Sequence, residues 1–396
     1  MDREPPIRLK GLAWDHKRCW GPLESSIPVF RELHPNVDIE WDRQHLSSFG
    51  EGDLQSVLER YDLLIIDHPF IGEAAKHTYF HDLNKLLPAS LIDAHQTHSV
   101  GASYRSYLYD DALYALPIDA ASQVAAFRQD VFDAESFSVP TRLDELLILG
   151  GKAKRKGLYL GFPAIPLDIM CSFLSVTAAM GSPLKTGEDF IPYPAYTRAV
   201  SVLQTLLEYA HPDSHDWNPI RCYEHMVAHD DVPYNPLGFG YLNYSSRHLT
   251  APLQFGDIVA FNNRLPAQGG LLGGAGIAIS RHSKNSDAAA NYLSFLCQPD
   301  FQSKEYIFSG GQPGYGGAWQ NPDADLQYSN FFAETLPATT HAYLRPRFPG
   351  FMDFFRFATT DIAKAVRKEK DEKAVWKKLS DAYRDCQSAD APSANG

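Results

Sequence analysis

The stretch Tyr61-Asp-Leu-Leu-Ile-Ile-Asp67 is the clearest fold signal in the chain. Its centre is an uninterrupted apolar run between polar ends, a pattern typical of a strand buried on both faces of a parallel sheet. Upstream, the sequence predicts a strand at 7–14, a helix at about 22–33 and a second strand at 37–41. A short helix at about 54–60 leads into the quoted strand. This β-α-β-α-β order predicts an α/β fold.

The length and charge of the chain limit its possible architecture and partners. The chain has 396 residues, of which 44% are hydrophobic and 21% are charged. Single cores stop growing at roughly 250–300 residues, so two lobes are expected. Asp and Glu outnumber Lys and Arg by 48 to 36, and no basic stripe stands out. These features argue against nucleic acid as a partner.

A crossover into a second lobe is predicted at Pro117, inside the strand-like segment 113–119. Proline lacks a backbone donor and restrains the residue before it, so the chain has a natural place to change direction there. Beyond it, strand candidates at 158–162 and 237–244 alternate with helical patterns, which predicts a second α/β unit.

The predicted organisation is two lobes, each built from two separate segments, followed by a tail. The last residues are small and polar, a composition typical of disorder. Residues 1–117 and 266–318 are assigned to lobe 1, residues 118–265 and 319–386 to lobe 2 with the C-terminal helices, and residues 387–396 to a disordered tail.

Five motifs occur in one order along the chain. They are LAWDH at 12–16, YDLLIID at 61–67, YALPIDAASQVAAFRQDVF from Tyr114, GGLLGGAGIAISRHSKNSDAAANYLSFLCQPDFQ from Gly269 and GGQPGY from Gly310. With this order, over roughly residues 7–385, the chain resembles the family 1 extracellular solute-binding proteins, the maltose-binding-type subunits of bacterial ABC importers. The resemblance implies a type II periplasmic-binding-protein-like fold, in which two α/β lobes joined by a hinge enclose a ligand in the cleft between them.

The same resemblance implies a partner and a ligand class. The ligand is expected to be a small polar molecule, a sugar first and an organic acid or amine second, bound by a monomer without a cofactor. The N-terminus, MDREPPIRLKGLAW, lacks the charged start and apolar run of a secretory signal. The expected location is therefore the cytoplasm as the sequence stands, or the periplasm or cell exterior, with an ABC permease as partner, if a leader was removed.

This N-terminus leaves the function open between three interpretations. The first is the solute-binding protein just described. The second is a cytoplasmic enzyme in the same cleft, with His16 or His68 as general acid or base and Asp15 or Asp67 as its partner. The third is an intracellular sensor that passes closure to a protein partner.

Candidate ligand contacts follow from strand ends. In α/β sheets, ligands lie at the carboxyl ends of the strands. This rule selects Trp14, Asp15 and His16 after the first strand, and Asp67 and His68 after the buried one. The alternative is that each Asp caps the following helix and each His covers a strand end.

Four further candidates are implied by the resemblance, and a fifth, Gly274, by the glycine-rich run 273–276. Asp119 and Gln123 follow the crossover proline, and Tyr241 and Asn243 lie where the family presents aromatic and amide groups. Gly274 lets the backbone approach a ligand closely. The alternative for Asp119 and Gln123 is turn chemistry. For the aromatic and amide groups it is a place in the core, and for Gly274 it is entry into a strand.

Three histidine pairs have the i,i+4 spacing that places two ligands on one helix face. Such coincidences are expected in a chain with 15 histidines, and none of the pairs belongs to an HExxH motif, so no metal site is predicted. The pairs are His77/His81, His211/His215 and His225/His229.

Overall fold

The computed structural model describes residues 6–262 and 269–388. They form two compact units of mixed strands and helices, as expected for an α/β fold of two lobes. The predicted boundary between residues 265 and 266 lies outside the described residues. Within them, unit 1 comprises residues 6–120 and 273–324, and unit 2 comprises residues 121–262, 269–272 and 325–388.

Strands and helices are numbered along the chain. The strands are β1 (Ile7–Trp14), β2 (Val37–Gln44), β3 (Leu63–Ile66), β4 (Leu108–Tyr109), β5 (Ala112–Leu113), β6 (Leu116–Phe127), β7 (Tyr234–Phe239), β8 (Gln254–Gly256) and β9 (Leu272–Ile279). The helices are α1 (Lys17–Leu33), α2 (Leu46–Glu51), α3 (Ile71–His77), α4 (Ala89–His98), α5 (Ser103–Ser106), α6 (Gln129–Glu135), α7 (Leu143–Arg155), α8 (Pro166–Ala179), α9 (Tyr193–Tyr209), α10 (Pro219–Ala228), α11 (Ser286–Leu296), α12 (Pro299–Phe301), α13 (Pro322–Gln327), α14 (Phe331–Thr340), α15 (Phe351–Val366) and α16 (Glu372–Ser388).

The sheet of unit 1 has the strand order β2-β1-β3-β9, with β6 beside β9. β1 pairs with β2 and β3 in parallel, and β9 runs antiparallel to β3. The carboxyl ends of β1 and β3 therefore share one edge of the sheet. Gly11 is paired with Leu63, and extending this register by four residues brings Asp15 level with Asp67.

The core of unit 1 confirms the prediction from the apolar run, because all four residues of β3 are buried. Cys19, Leu23 and Phe30 of α1 are buried in the same cluster. The ring of Trp41 lies where a side chain on Gly11 would have to be, since a β-carbon there would come within 2.4 Å of the ring. A larger residue at position 11 would displace this tryptophan.

Unit 2 is built around the second half of β6 and helix α8. β7 and β8 both pair antiparallel to β6. α8 is buried on nearly every side, as expected for an apolar helix, and it packs against α9 and α15. Strands therefore form a smaller part of unit 2 than predicted, because helices supply most of its core.

Several predicted elements differ from those observed. β6 runs through Pro117 without a break, because a proline at the second position of a strand removes no essential ladder bond. The segment 54–60 forms turns, and the segment 158–162 has only bridges at Leu160. β7 ends at Phe239 and a 3₁₀ turn, Leu242–Ser245, follows.

The C-terminal helices assigned to lobe 2 are observed as α15 and α16, and each buries an apolar stripe. α16 continues to Ser388, so the first two residues assigned to the tail are helical. Gln387 is held there by bonds to Gly187 and Glu188. The rest of the tail, 389–396, lies outside the described residues.

Candidate functional site

The end of β1 presents a donor and an acceptor on consecutive residues. Trp14 is buried, and its ring lies 4.8 Å from the ring of Phe49. Its Nε1 is buried and has no hydrogen-bond partner among the described residues. Asp15 is exposed, and its carboxylate lies 3.8 Å from the guanidinium of Arg43. An indole N–H and a carboxylate are both groups that bind polar ligands.

His16 caps the helix that follows. Its Nδ1 accepts a hydrogen bond of 3.1 Å from the backbone N–H of Arg18, so the cap comes from His16 rather than from Asp15. Burial, helped by the charge of Arg18, lowers the pKa of His16 to about 3. The ring is therefore neutral near pH 7, which does not suit a general acid or base.

Because the pKa of His16 is lowered in the folded state, we expect the free energy of unfolding to depend on pH. The unfolded state takes up a proton at the ordinary histidine pKa of 6.5, whereas the folded state resists it until about pH 3. The folded state should therefore lose stability as pH falls through this window. His16→Asn keeps a capping side chain but does not titrate. Urea unfolding from pH 7 to pH 4 should show the wild type losing stability relative to this variant, whereas parallel curves would contradict the assignment.

Asp67 and His68 form a turn after β3. The carboxylate of Asp67 accepts the backbone N–H of His68 at 2.8 Å and caps the 3₁₀ turn His68–Phe70. The His68 ring is fully buried, with Nδ1 3.0 Å from the Asp67 carboxylate and the edge of Tyr107 nearby. Asp67 is half-buried and remains reachable, whereas His68 is enclosed in unit 1.

Asp119 is held by Arg18 in a buried ion pair. Arg18 Nε and Nη2 donate to its two carboxylate oxygens at 2.8 and 2.6 Å, and the two residues are 4% and 1% exposed. Burial raises the pKa of Asp119, against the lowering effect of Arg18 and of the Gln312 backbone N–H. Arg18 was not among the residues predicted from the sequence. A cation in the first turn of a helix interacts unfavourably with the helix dipole. The position of Arg18 in the first turn of α1 therefore indicated that it has a specific acidic partner.

The GGQPGY motif forms hydrogen bonds with the first half of β6 within unit 1. The backbone N–H of Ala120 donates to the Gln312 carbonyl at 2.9 Å, and the Gln312 side chain donates back to the Ala120 carbonyl at 3.0 Å. A β-carbon on Gly314 would come within 2.1 Å of the Pro117 carbonyl oxygen. The motif therefore fixes the start of β6 at the position of Asp119.

Position 274 requires a glycine for structural reasons within this chain. Its φ is +100°, a region that other residues rarely adopt. A β-carbon there would lie 2.3 Å from the backbone oxygen of Asp119. The close backbone approach predicted at Gly274 therefore exists, and its partner is β6.

Gln123 links β6 to α8 in unit 2. Ser175 Oγ donates to Gln123 Oε1 at 2.5 Å, and Gln123 Nε2 donates to Ser172 Oγ at 3.4 Å. Ser175 Oγ also accepts the backbone N–H of Leu271 at 2.9 Å. All three side chains are buried, so this network holds the unit together.

Tyr241 and Asn243 lie at and beyond the end of β7. Tyr241 is 5% exposed and packs with Tyr223 and Tyr244, with ring centroids 6.3 and 6.4 Å away. Asn243 belongs to the 3₁₀ turn Leu242–Ser245 and is half-buried. Of the predicted residues in unit 2, Asn243 is the more accessible polar group.

A separate cavity of about 450 Å³ lies in unit 2. Its lining includes the rings of Phe127 and Phe255 and the carboxyl groups of Asp257 and Glu334. Burial raises the pKa of Asp257 to about 6. The described residues that line this cavity include none of the predicted contacts.

Comparisons with known proteins place the chain in a family. It matches the model of the bacterial extracellular solute-binding proteins over residues 20–303, well over half of its length, and it belongs to this family. No curated protein matches it significantly in sequence. Within the described residues, no helix combines the length and apolarity that a membrane crossing requires.

Solved structures share the fold at low sequence identity. Maltose-bound MalE3 of T. maritima is 16% identical with a TM-score of 0.82, over 96% of this chain and 99% of that one. A solute-binding protein of Agrobacterium radiobacter K84 in complex with ribitol is 17% identical with a TM-score of 0.79, over 98% and 100%. A third, from Agrobacterium vitis S4 with bound D-mannitol, is 14% identical with a TM-score of 0.73, over 97% and 99%.

Proposed function

We propose that this chain is a solute-binding protein that binds a neutral sugar or polyol and delivers it to an ABC permease. Its family and the maltose, ribitol and D-mannitol named with the similar structures support this ligand class. The protein acts as a monomer, and the family description supports a location outside the cytoplasmic membrane. The observation that carries the proposal is the pair of carboxylates at one sheet edge of unit 1.

These two carboxylates favour a neutral polyhydroxyl ligand over an organic acid. Asp15 and Asp67 follow neighbouring parallel strands at the same level. Carboxylates accept hydrogen bonds from hydroxyl groups and repel a ligand carboxylate. Arg18 is paired with Asp119, and Arg43 forms ion pairs with both Asp15 and Glu24, so both cations are already engaged with carboxylates of the protein.

Unit 1 offers one further candidate contact. Trp14 Nε1 is a buried donor, and leaving it without a partner costs about 1–3 kcal/mol, which a ligand oxygen would recover. Tyr241 and Asn243 of unit 2 stay predicted ligand contacts. His16 caps α1, and His68, Asp119, Gln123 and Gly274 have the roles in folding described above.

The enzyme alternative gains no support from the described residues. His16 uses Nδ1 to cap α1, and burial keeps its ring neutral. His68 is fully buried in unit 1. Neither ring suits proton transfer to a substrate.

Asp15→Asn tests the proposal. Hydrogen bonds to a charged acceptor are worth about 1.5–3 kcal/mol, so the variant should bind its sugar or polyol roughly 10- to 100-fold more weakly. Asp38→Asn is the matched control, because Asp38 is also exposed and beside an arginine but lies near the amino end of β2. Calorimetry should show wild-type affinity for the control.

Two results would count against these assignments. Equal affinity in the wild type and both variants would remove Asp15 from the site. Failure of the wild type to bind any sugar or polyol would overturn the proposed ligand class.

A further inference from the structure

We propose that unit 2 carries a zinc-type metal site formed by His211, His225 and Asp231. The ligand atoms of these three side chains all lie within 4.8 Å of one another. His225 Nε2 is 2.8 Å from one carboxylate oxygen of Asp231, and His211 Nε2 is 3.4 Å from the other. The side chains of His211, His225 and Asp231 are 13%, 18% and 38% exposed, so an ion from solvent can reach them.

Three separate segments bring these residues together. His211 precedes the 3₁₀ turn Pro212–Asp216, His225 lies in the last turn of α10, and Asp231 lies in the loop before β7. The i,i+4 spacing therefore did not reveal the cluster, because it takes one histidine from each of two pairs. The carbonyl of Asp231 accepts the backbone N–H of Tyr159 at 2.8 Å, which fixes the loop.

Aromatic packing holds the two imidazoles in place. The Trp217 ring stacks on His211 at 4.8 Å with an interplanar angle of 9°, and it lies 4.7 Å from the His225 ring. Tyr159 packs its edge against His211 at 5.1 Å. Ligands oriented in advance lose little conformational freedom on binding an ion.

The donor set suits zinc. Two imidazole nitrogens and a carboxylate oxygen leave a fourth position for water, which is the arrangement of many three-ligand zinc sites. With bonds of about 2.0–2.1 Å, tetrahedral ligand atoms lie about 3.3 Å apart. The ligand atoms here lie within 4.8 Å of one another, so the widest separation must shorten by up to about 1.5 Å when an ion binds. Magnesium and calcium prefer more oxygen ligands than this cluster offers.

The protons on His211 can rearrange to admit the ion. Its Nδ1 accepts the backbone N–H of Asp213 at 3.1 Å, which places the proton of the neutral ring on Nε2. Binding of the metal at Nε2 requires this proton to move to Nδ1, with no net release, and the bond from the Asp213 backbone N–H to Nδ1 to break. The Asp213 carboxylate, now 3.9 Å from Nδ1, would then accept a hydrogen bond from Nδ1–H, giving a carboxylate–histidine–metal arrangement.

Calorimetric titration of the chelator-treated full chain with Zn²⁺ tests the site. We expect one ion per chain, at least tenfold weaker binding in His211→Ala and His225→Ala, and much weaker binding of Mg²⁺ by the wild type. His215→Ala is the matched control and should bind Zn²⁺ as the wild type does, because His215 is an exposed histidine of the same 3₁₀ turn. Unchanged Zn²⁺ affinity in both His211 and His225 variants would overturn the proposal.

A second measurement uses only the wild type, in case the variants fold poorly. Diethylpyrocarbonate modifies accessible imidazoles, and mass spectrometry locates the modified residues. Zn²⁺ should protect His211 and His225 at least fivefold and leave His215 unprotected. Equal modification of all three with and without Zn²⁺ would overturn the proposal.

Discussion

Replacing Arg18 with methionine should lower the free energy of unfolding by about 3–5 kcal/mol. Methionine replaces the apolar stem of arginine but lacks the guanidinium, so most of the loss is electrostatic. Asp119 would be left buried without the guanidinium that now donates to both of its oxygens. The penalty should shrink at low pH, because Asp119 can then be buried in its neutral form. Urea unfolding followed by circular dichroism at pH 7 and pH 4 measures both effects.

Two further variants separate the charge from the packing. Arg18→Met combined with Asp119→Leu removes both charges and should recover most of the lost stability, as replacement of buried pairs by apolar residues often does. Arg18→Lys keeps the charge without the two-pronged donor and should fall in between. A loss below about 1 kcal/mol in Arg18→Met would show that the pair does not hold unit 1 together.

Gly274→Ala should destabilise the protein by about 3 kcal/mol or more. Two costs combine at this position. The backbone has a φ of +100°, and the new β-carbon would lie 2.3 Å from the backbone oxygen of Asp119. Neither strand can move easily, because β6 is fastened by Gln312 and β9 is paired with β3. Urea unfolding measures the loss.

Gly181→Ala is the control that isolates the steric cost. Gly181 has a φ of +84°, and nothing lies within 4 Å of the position of its β-carbon. This variant should lose only about 1–2 kcal/mol from backbone strain. Equal losses at the two glycines would show that the approach of β6 to Gly274 does not constrain the residue.

The sequence revealed the strands of unit 1 because burial leaves a simple pattern there. The run Leu63–Ile66 has apolar residues facing both sides of the sheet, and this cannot be mistaken for a surface element. The C-terminal helices were equally visible through their stripes. The elements of unit 2 were harder to predict, since α8 is buried on nearly every side and has no polar face that would reveal a helical period.

The candidate site could be predicted only in part. The rule of strand ends selected Trp14, Asp15 and Asp67 as candidates, because it depends on topology alone. It could not tell which polar groups are already engaged with partners distant in sequence. Asp119 pairs with Arg18 across 101 residues, and Gln123 bonds with Ser175 across 52. Such pairings depend on tertiary packing, which composition and spacing do not encode.

The most direct test of the account is native mass spectrometry of the wild type incubated with a library of neutral sugars, polyols and organic acids. We expect one sugar or polyol per chain, released on denaturation with its mass unchanged after long incubation. An organic acid as the bound compound, a bound product of altered mass, or no complex with any member of the library would contradict it.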